Sequence, residues 1–328
     1  MNNHRKTVLG ALFVLLVILI WQLPFPIETG KDFPVVDNKG ISPHGEIIFL
    51  SDTQKPIWVE TFVLNRNHNL LARKLIFEKV LNEKPSKVFH LGDITALGYY
   101  DYEWEPIDEF LRKIIGEKIG FYPTLGNHEL IIFPETGKVN FLKRFPFYSE
   151  TGYCVRSGKT AVILLNSNFG NLSDDDIEKQ NNWYEKKLRE LDSDSTVSAV
   201  IVTVHHSPFT NSKIVSPSEE VQKYFVPPFI ASKKGKIFLG GHGHAFEHFK
   251  FKGKDFLVIG GGGGLQQPLY TGNEEKFKDL YSQTKPLRMF HLLRYNLGND
   301  TMKFVVEMLD STFTKFHKEY ELDISVKK

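Results

Sequence analysis

Five separate apolar runs in this chain each end in a residue able to bind a divalent metal or a phosphate group. Asp52 follows Ile47-Ile48-Phe49-Leu50-Ser51, and Asp93 closes Val88-Phe89-His90-Leu91-Gly92. Asn127 and His128 follow Tyr122-Pro123-Thr124-Leu125-Gly126. His205 and His206 follow Val200-Ile201-Val202-Thr203-Val204, and His242 and His244 close Ile237-Phe238-Leu239-Gly240-Gly241. Runs this short and continuous are expected as strands buried on both faces. Ligands of open α/β sheets collect at the carboxyl ends of such strands. Six or seven nitrogen and oxygen donors at one sheet edge would make a site for two divalent ions.

The segments between these runs alternate in kind. Helices are expected over 69–81, with Leu70, Leu71, Leu75, Ile76 and Val80 on one side, and over 106–115. A third opens at Ser173, an N-cap followed by Asp174, Asp175 and Asp176, and runs to Leu191. Further strands are expected over 153–155, 160–165, 256–259, 290–296 and 301–309. The last two flank a hairpin signal at Leu297-Gly298-Asn299-Asp300. The pattern of βαβ units and then a β-rich carboxyl half implies an α/β fold of two mixed sheets packed face to face, with helices outside. Two long connections, 209–231 and 260–286, leave the sheet near the proposed site and are expected to form its substrate-recognising walls.

Composition excludes some functions. Lysine plus arginine is 41 against 39 acidic residues, and Arg5 and Lys6 account for the excess. The globular part carries no net basic charge and no basic tract, so nucleic-acid binding is not indicated. Cys154 is the only cysteine, expected as a buried small apolar strand residue rather than a reactive thiol. Ahead of the domain, His4, Arg5 and Lys6 precede an apolar run whose longest span is Thr7 to Leu23. Residues 1–23 are expected to be an uncleaved membrane anchor with the amino end cytoplasmic and the catalytic domain outside the cytoplasm. The alternative is a signal segment whose cleavage leaves a secreted or periplasmic protein, but Trp21-Gln22-Leu23-Pro24-Phe25-Pro26 offers no small-residue cleavage site. Residues 24–44 are expected to be a Pro/Gly-punctuated linker, and 45–328 the catalytic domain.

The chemistry of phosphate esters explains the residue types. Hydrolysis needs charge neutralised on the phosphoryl oxygens and a hydroxide near neutral pH, and two close divalent ions supply both. A carboxylate is needed between such ions, and Asp93 is the candidate. Neutral donors such as Asn127, His205 and His242 hold the second ion without repelling phosphate. Imidazole suits Zn, Fe or Mn, and amide and carboxylate oxygens also suit Mn or Mg.

Taken in order, Asp52-x-Gln54, Gly92-Asp93, Gly126-Asn127-His128-Glu129, His205 and Gly241-His242-x-His244 resemble the motifs of the calcineurin-like metallophosphoesterases. The continuation to Ala245-Phe246-Glu247-His248, the glycine run at 260–264 and the helix carrying Gln180 and Trp183 look most like the purple-acid-phosphatase-like branch. The resemblance implies a four-layer αββα sandwich and a dinuclear metal centre. By it, Asp52, Asp93 and His244 bind the first metal, and Asp93, Asn127, His205 and His242 the second. His128 binds no metal and would protonate the leaving oxygen, and the nucleophile would be a metal-bridging hydroxide.

Two departures matter. Gln54 stands where the family usually has His, so the first metal is expected to be held more loosely. Ala96 stands where purple acid phosphatases carry an iron-binding Tyr, so a ferric ion is not implied. His206 and His248 are weaker candidates for substrate contact, each weighed against a solvated or strand position. The substrate is expected to be a phosphomonoester or phosphodiester, on a small molecule, a lipid or an envelope component. The competing expectation is a degenerate member that binds without turnover, for which Gln54 is the one argument.

Overall fold

The computed structural model describes residues 32–281 and 290–327. The expected anchor at 1–23 lies outside the described residues. No helix among the described residues is long and apolar enough to cross a membrane.

Two six-stranded mixed sheets lie face to face. In the first, β1 (Ile47–Leu50), β2 (Lys87–His90) and β3 (Gly120–Pro123) run parallel. The antiparallel strands β10 (His291–Leu297), β11 (Thr301–Leu309) and β12 (Phe316–Ser325) extend that sheet beyond β1. The second sheet runs in the order β4 (Tyr153–Ser157), β5 (Thr160–Leu164), β6 (Ala199–His206), β7 (Gly235–Gly241), β9 (Lys254–Ile259) and β8 (Phe246–Phe251). Its four inner strands are parallel.

Side chains alternate across a strand, and both faces here are covered. Ile47 and Phe49 join Val162, Ile201, Leu239 and Leu293 between the sheets. Ile48 and Leu50 meet the helices α1 (Asn69–Glu83) and α2 (Asp101–Gly116) on the outside of the first sheet. Val200, Val202 and Phe238 meet α5 (Asp174–Ser193) on the outside of the second. These three layers of core produce the expected αββα sandwich and explain why the strands read as unbroken apolar runs. Each large side chain so buried contributes roughly 1.5–3 kcal/mol.

Several local expectations change. The buried stripe of α1 is Ala72, Ile76, Phe77 and Val80, while Leu70 and Leu71 face outward. Helix α2 begins at Asp101, five residues ahead of Pro106, with Asp101 and Glu103 in its first turn. The apolar period of 106–115 concealed that acidic start. Residues 32–44 are not a free linker. Val36 is buried and donates its N–H to Arg144 O at 2.9 Å, and Asn38 exchanges two hydrogen bonds with the Phe121 backbone. The loop 126–150 carries α3 (Asn127–Leu130) and α4 (Pro134–Arg144), and 209–231 carries the short helices α6 (Glu219–Tyr224) and α7 (Val226–Ala231).

Candidate functional site

The parallel strands of both sheets release their chains at one edge, and that edge gathers the donors. Asp52, Asp93 and His242 each lie just past a strand end, with φ of 59°, 56° and 65°. Left-handed backbone on a residue other than glycine costs roughly 1–3 kcal/mol and persists where surroundings enforce it. Here the Asp52 N–H donates to Gly92 O, and the Gln54 N–H donates to Asp93 O, each at 3.0 Å. The two turns are thereby laced together with their carboxylates pointing into the edge.

The histidines are oriented from behind. His205 Nδ1 lies 2.9 Å from Leu91 O, and His244 Nδ1 lies 2.7 Å from Leu265 O. A carbonyl accepts only from N–H, so each ring carries its proton on Nδ1 and turns Nε2 inward, the usual arrangement behind a metal-ligating histidine. His205 Nε2 is 3.0 Å from Asn127 Oδ1 and 3.2 Å from Asp93 Oδ2. His244 Nε2 is 3.2 Å from Asp52 Oδ1. Two groups of donors have their ligand atoms within 4.8 Å of one another: Asp52, Asp93 and His205, and His205, His206 and His242. No Lys or Arg side chain pairs with Asp52 or Asp93 among the described residues. Two buried carboxylates with imidazole neighbours fit divalent cations.

Gln54 has only one satisfying orientation. Two backbone carbonyls, of Asp52 and Asp93, lie 3.1 Å from one end of its amide, and only the NH₂ can serve both. Oε1 then faces His244 Nε2 at 3.1 Å, on the inner side of the edge. The amide oxygen thus points into the donor edge, beside the inward nitrogen of His244.

Electrostatics ties the groups together. Burial alone would push the Asp93 carboxyl up, but His205 and His128 hold it below the ordinary carboxylate range. Asp52 is likewise held low, against burial, by His244. Burial disfavours charge on His205, yet Asp93 beside it lifts its pKa to about 9. His242, desolvated and next to His205, falls to about 3. A cation on His205 Nε2 must therefore displace a proton at neutral pH. Metal affinity should rise with pH up to about 9 and then level off, with protons released on binding. Calorimetry in buffers of different ionisation enthalpy reads those protons. A pH-independent affinity over that window would contradict the assignment of His205.

His128 stands apart from the donors. Its Nδ1–H is held by Ala96 O at 2.9 Å, and its backbone N–H donates to Asp93 Oδ1 at 2.8 Å. Its Nε2 lies 3.9 Å from Glu60 Oε1 and 4.0 Å from Asp93 Oδ2. Glu60 belongs to no motif, and nothing in the sequence singled it out. Glu129, the last residue of Gly-Asn-His-Glu, had been given no role. Its carboxylate accepts four backbone N–H groups, from Gly126, Asp93, Ile94 and Thr95, at 2.7–3.1 Å. It fixes the turn that presents both Asp93 and His128.

Glycine acts at two close approaches. A Cβ at Gly126 would sit 2.1 Å from Asp93 Oδ1, and one at Gly264 would sit 2.5 Å from the His244 ring. The glycine run at 260–264, expected as part of a substrate wall, backs the site instead. Gly262 and Gly264 donate their N–H groups to Ser51 O and Asp52 O. The two long connections meet each other through a bridge between Ser212 and Leu269.

His206 joins the cluster, its ring centroid 4.6 Å from that of His242, with Nδ1 2.9 Å from Ser167 Oγ. His248 does not. It is buried on β8, its Nε2 2.9 Å from Asp255 Oδ1 and its Nδ1 2.9 Å from Tyr320 OH, so both ring nitrogens are engaged within the sandwich. Gln180 bonds both the N–H and the C=O of Asn166, and Trp104 is core.

The family model for calcineurin-like phosphoesterases matches residues 45–246, which span all the donors named above. The chain belongs to the calcineurin-like phosphoesterases. Solved structures similar to this phosphoesterase include GAP50, described as the anchor in the inner membrane complex of Plasmodium, at 17% identity and a TM-score of 0.63. That match covers 86% of this chain and 89% of GAP50. Purple acid phosphatase PPD1 from yellow lupin matches at 16% identity and a TM-score of 0.57, covering 85% of this chain and 53% of the lupin chain. This phosphoesterase thus spans about half the length of the lupin enzyme. A dimetal phosphatase from Danio rerio matches at 14% identity and a TM-score of 0.51, covering 87% of this chain and all of that one. At these identities the likeness is one of fold. No curated protein sequence matches the chain.

Proposed function

We infer that this phosphoesterase hydrolyses a phosphate ester, mono or di, at a site for two divalent ions. The observation that carries the reading is the pair of overlapping donor groups that share His205, one of them holding Asp52 and Asp93 and the other His206 and His242. Asp52, Asp93, His244 and Gln54 would hold one ion, and Asp93, Asn127, His205 and His242 the other. Two such ions would supply Lewis acidity toward phosphoryl oxygens and would make a bound water acid enough to furnish hydroxide near neutral pH.

The chain's own residues complete the chemistry. Asn127 is fixed by the turn that Glu129 organises, and its amide oxygen adds no charge to repel a phosphate. His206 flanks the second group and is within reach of a phosphate oxygen. His128, with Nδ1 held by Ala96 O, directs Nε2 outward and would carry a proton there to the leaving oxygen. The test is release of nitrophenol from mono- and bis-nitrophenyl phosphate by the full chain with added Mn²⁺ and with chelator. Hydrolysis that needs the metal supports the reading. Its absence with metal bound favours a second reading, a phosphoesterase fold used for binding alone. Gln54 and the description of GAP50 as an anchor favour that second reading.

Gln54 makes its own prediction. An amide oxygen is a poorer donor than imidazole to Zn or Fe but acceptable to Mn or Mg. The ion at Asp52 and Gln54 should be lost first in mild chelator and be restored by Mn²⁺. Gln54→His should tighten that ion and shift preference towards Zn or Fe, measured by competition with a chelating dye. Unchanged affinities and preference would show that Gln54 is not a ligand.

We also place the domain outside the cytoplasm, tethered by the apolar run at Thr7–Leu23 behind Arg5 and Lys6. Lipid or envelope phosphates are then the substrates at hand. Mass spectrometry of the protein from membranes should find the amino-terminal segment attached. A soluble chain starting near residues 24–30 would support cleavage instead.

A further inference from the structure

Trp58, Val59, Phe62 and Val63 stand out on the loop between β1 and α1. Phe62 is 78% exposed and Val63 72%. No other six-residue stretch among the described residues exposes four large apolar side chains. The Trp58 and Phe62 rings meet edge to face with centroids 5.4 Å apart, forming one small knob. Leaving such surface in water is unfavourable, and contiguous exposed apolar patches mark contact surfaces.

The knob sits at the rim of the metal site. Glu60, between its two halves, is the residue 3.9 Å from His128 Nε2. Beside it, Lys55, Arg66, His68 and Leu70 line a cavity of about 480 Å³. Arg66 is exposed and has no ion pair among the described residues. Apolar tips flanked by cations match the order of a bilayer surface, acyl chains beneath anionic headgroups.

Read back from Pro43, the chain's path leads from the opposite edge of the sandwich along α2 in the direction of that rim. Lys55 Nζ binds Glu103 Oε1 at 2.7 Å, so the loop is tied to the first turn of α2. Phe33 lies 5.6 Å from the Arg144 guanidinium, which in turn lies 4.5 Å over the Trp104 ring of the same turn. Arg112, late in α2, donates to Asp32 O at 2.7 Å, so the first described residue lies along the outer face of α2, and the chain runs from there away from the site-bearing edge to Gly158 at the opposite edge, whose N–H donates to Pro43 O. Only residues 24–31 separate Leu23 from Asp32, a reach of at most about 32 Å when extended. An apolar run held in a bilayer would keep the α2 side of the domain within that reach of the lipid surface, and the rim beside the first turn of α2 can then meet it.

We propose that the Trp58–Val63 loop inserts into the lipid surface and seats the metal site at the lipid–water interface. The inference rests on the membrane-bound reading of residues 7–23. The loop, and not the tether alone, then sets the orientation of the site.

The experiment uses the full chain in a Cys154→Ser background with vesicles of phosphatidylethanolamine and phosphatidylglycerol. Single cysteines are introduced as Phe62→Cys, Val63→Cys and, as a distant control, Asn299→Cys in the hairpin between β10 and β11. Each carries an environment-sensitive fluorophore. Flotation with the vesicles first reports whether the chain is membrane-bound. In floating protein, the labels at 62 and 63 should emit at shorter wavelength than the label at 299. Lipids bearing doxyl quenchers should dim them while leaving the control bright. Flotation with all three labels equally in water would overturn the loop proposal and leave the tether standing. Failure of the full chain to float would overturn both. Neither readout depends on turnover, so loss of activity alone cannot imitate either result.

Discussion

An Asp93→Ala variant is expected to lose phosphate-ester hydrolysis to the background rate and to bind less than one metal ion per chain. Asp93 groups with Asp52, assigned to one ion, and with His205, assigned to the other. Its Oδ2 lies 3.2 Å from His205 Nε2, and its Oδ1 accepts the His128 N–H at 2.8 Å. Truncation removes the shared donor and leaves buried partners without an acceptor, at a cost to folding of about 1–3 kcal/mol. Asp93→Asn keeps the shape and most of the hydrogen bonding while removing the charge, so it separates the two effects. It should fold like the parent by thermal melting and still fail to hold two ions. Two bound ions in Asp93→Asn would show that the carboxylate is not the bridge.

His128→Ala should give the contrasting phenotype. The backbone N–H to Asp93 survives the substitution, and no donor of either group is removed. Both ions should remain, while the rate falls roughly 10²–10⁴-fold, the range for a lost proton donor. A substrate with a good leaving group, such as nitrophenyl phosphate, should be hurt less than an alkyl phosphate, because its leaving oxygen needs a proton less. Metal loss equal to that of Asp93→Ala would make His128 a ligand instead.

The site was legible because each donor ends an apolar run. Strands buried on both faces leave a continuous signal in sequence, and the polar residue that breaks it marks the edge. Asp52, Asp93, Asn127, His205, His242 and His244 were found in that way. What was lost had weaker or misleading signals. β12 reads Phe-His-Lys-Glu-Tyr-Glu-Leu-Asp-Ile-Ser, and its charges suit an exposed edge strand while masking it as one. Leu70 and Leu71 read as core but face the cationic groove at the start of α1, where Ala72 and Ile76 turn inward. His248 shared a motif with the site yet belongs to β8, where alternation carries it to Asp255 and Tyr320. Glu60 lies on a loop with no periodicity, and its place near His128 is set by tertiary contacts that leave no sequence pattern. Gln54 was visible as a departure, but its ligand-like aim depends on two backbone carbonyls that only folding brings together.

The reading of the site as a two-ion phosphohydrolase is tested most directly by titrating the metal-free full chain with Mn²⁺. Bound ion and nitrophenyl phosphate hydrolysis are followed in the same samples. Hydrolysis should stay low through the first equivalent, rise with the second, and level off at two ions per chain. Full activity at one ion, or two tightly bound ions with no hydrolysis of either nitrophenyl substrate, would contradict it.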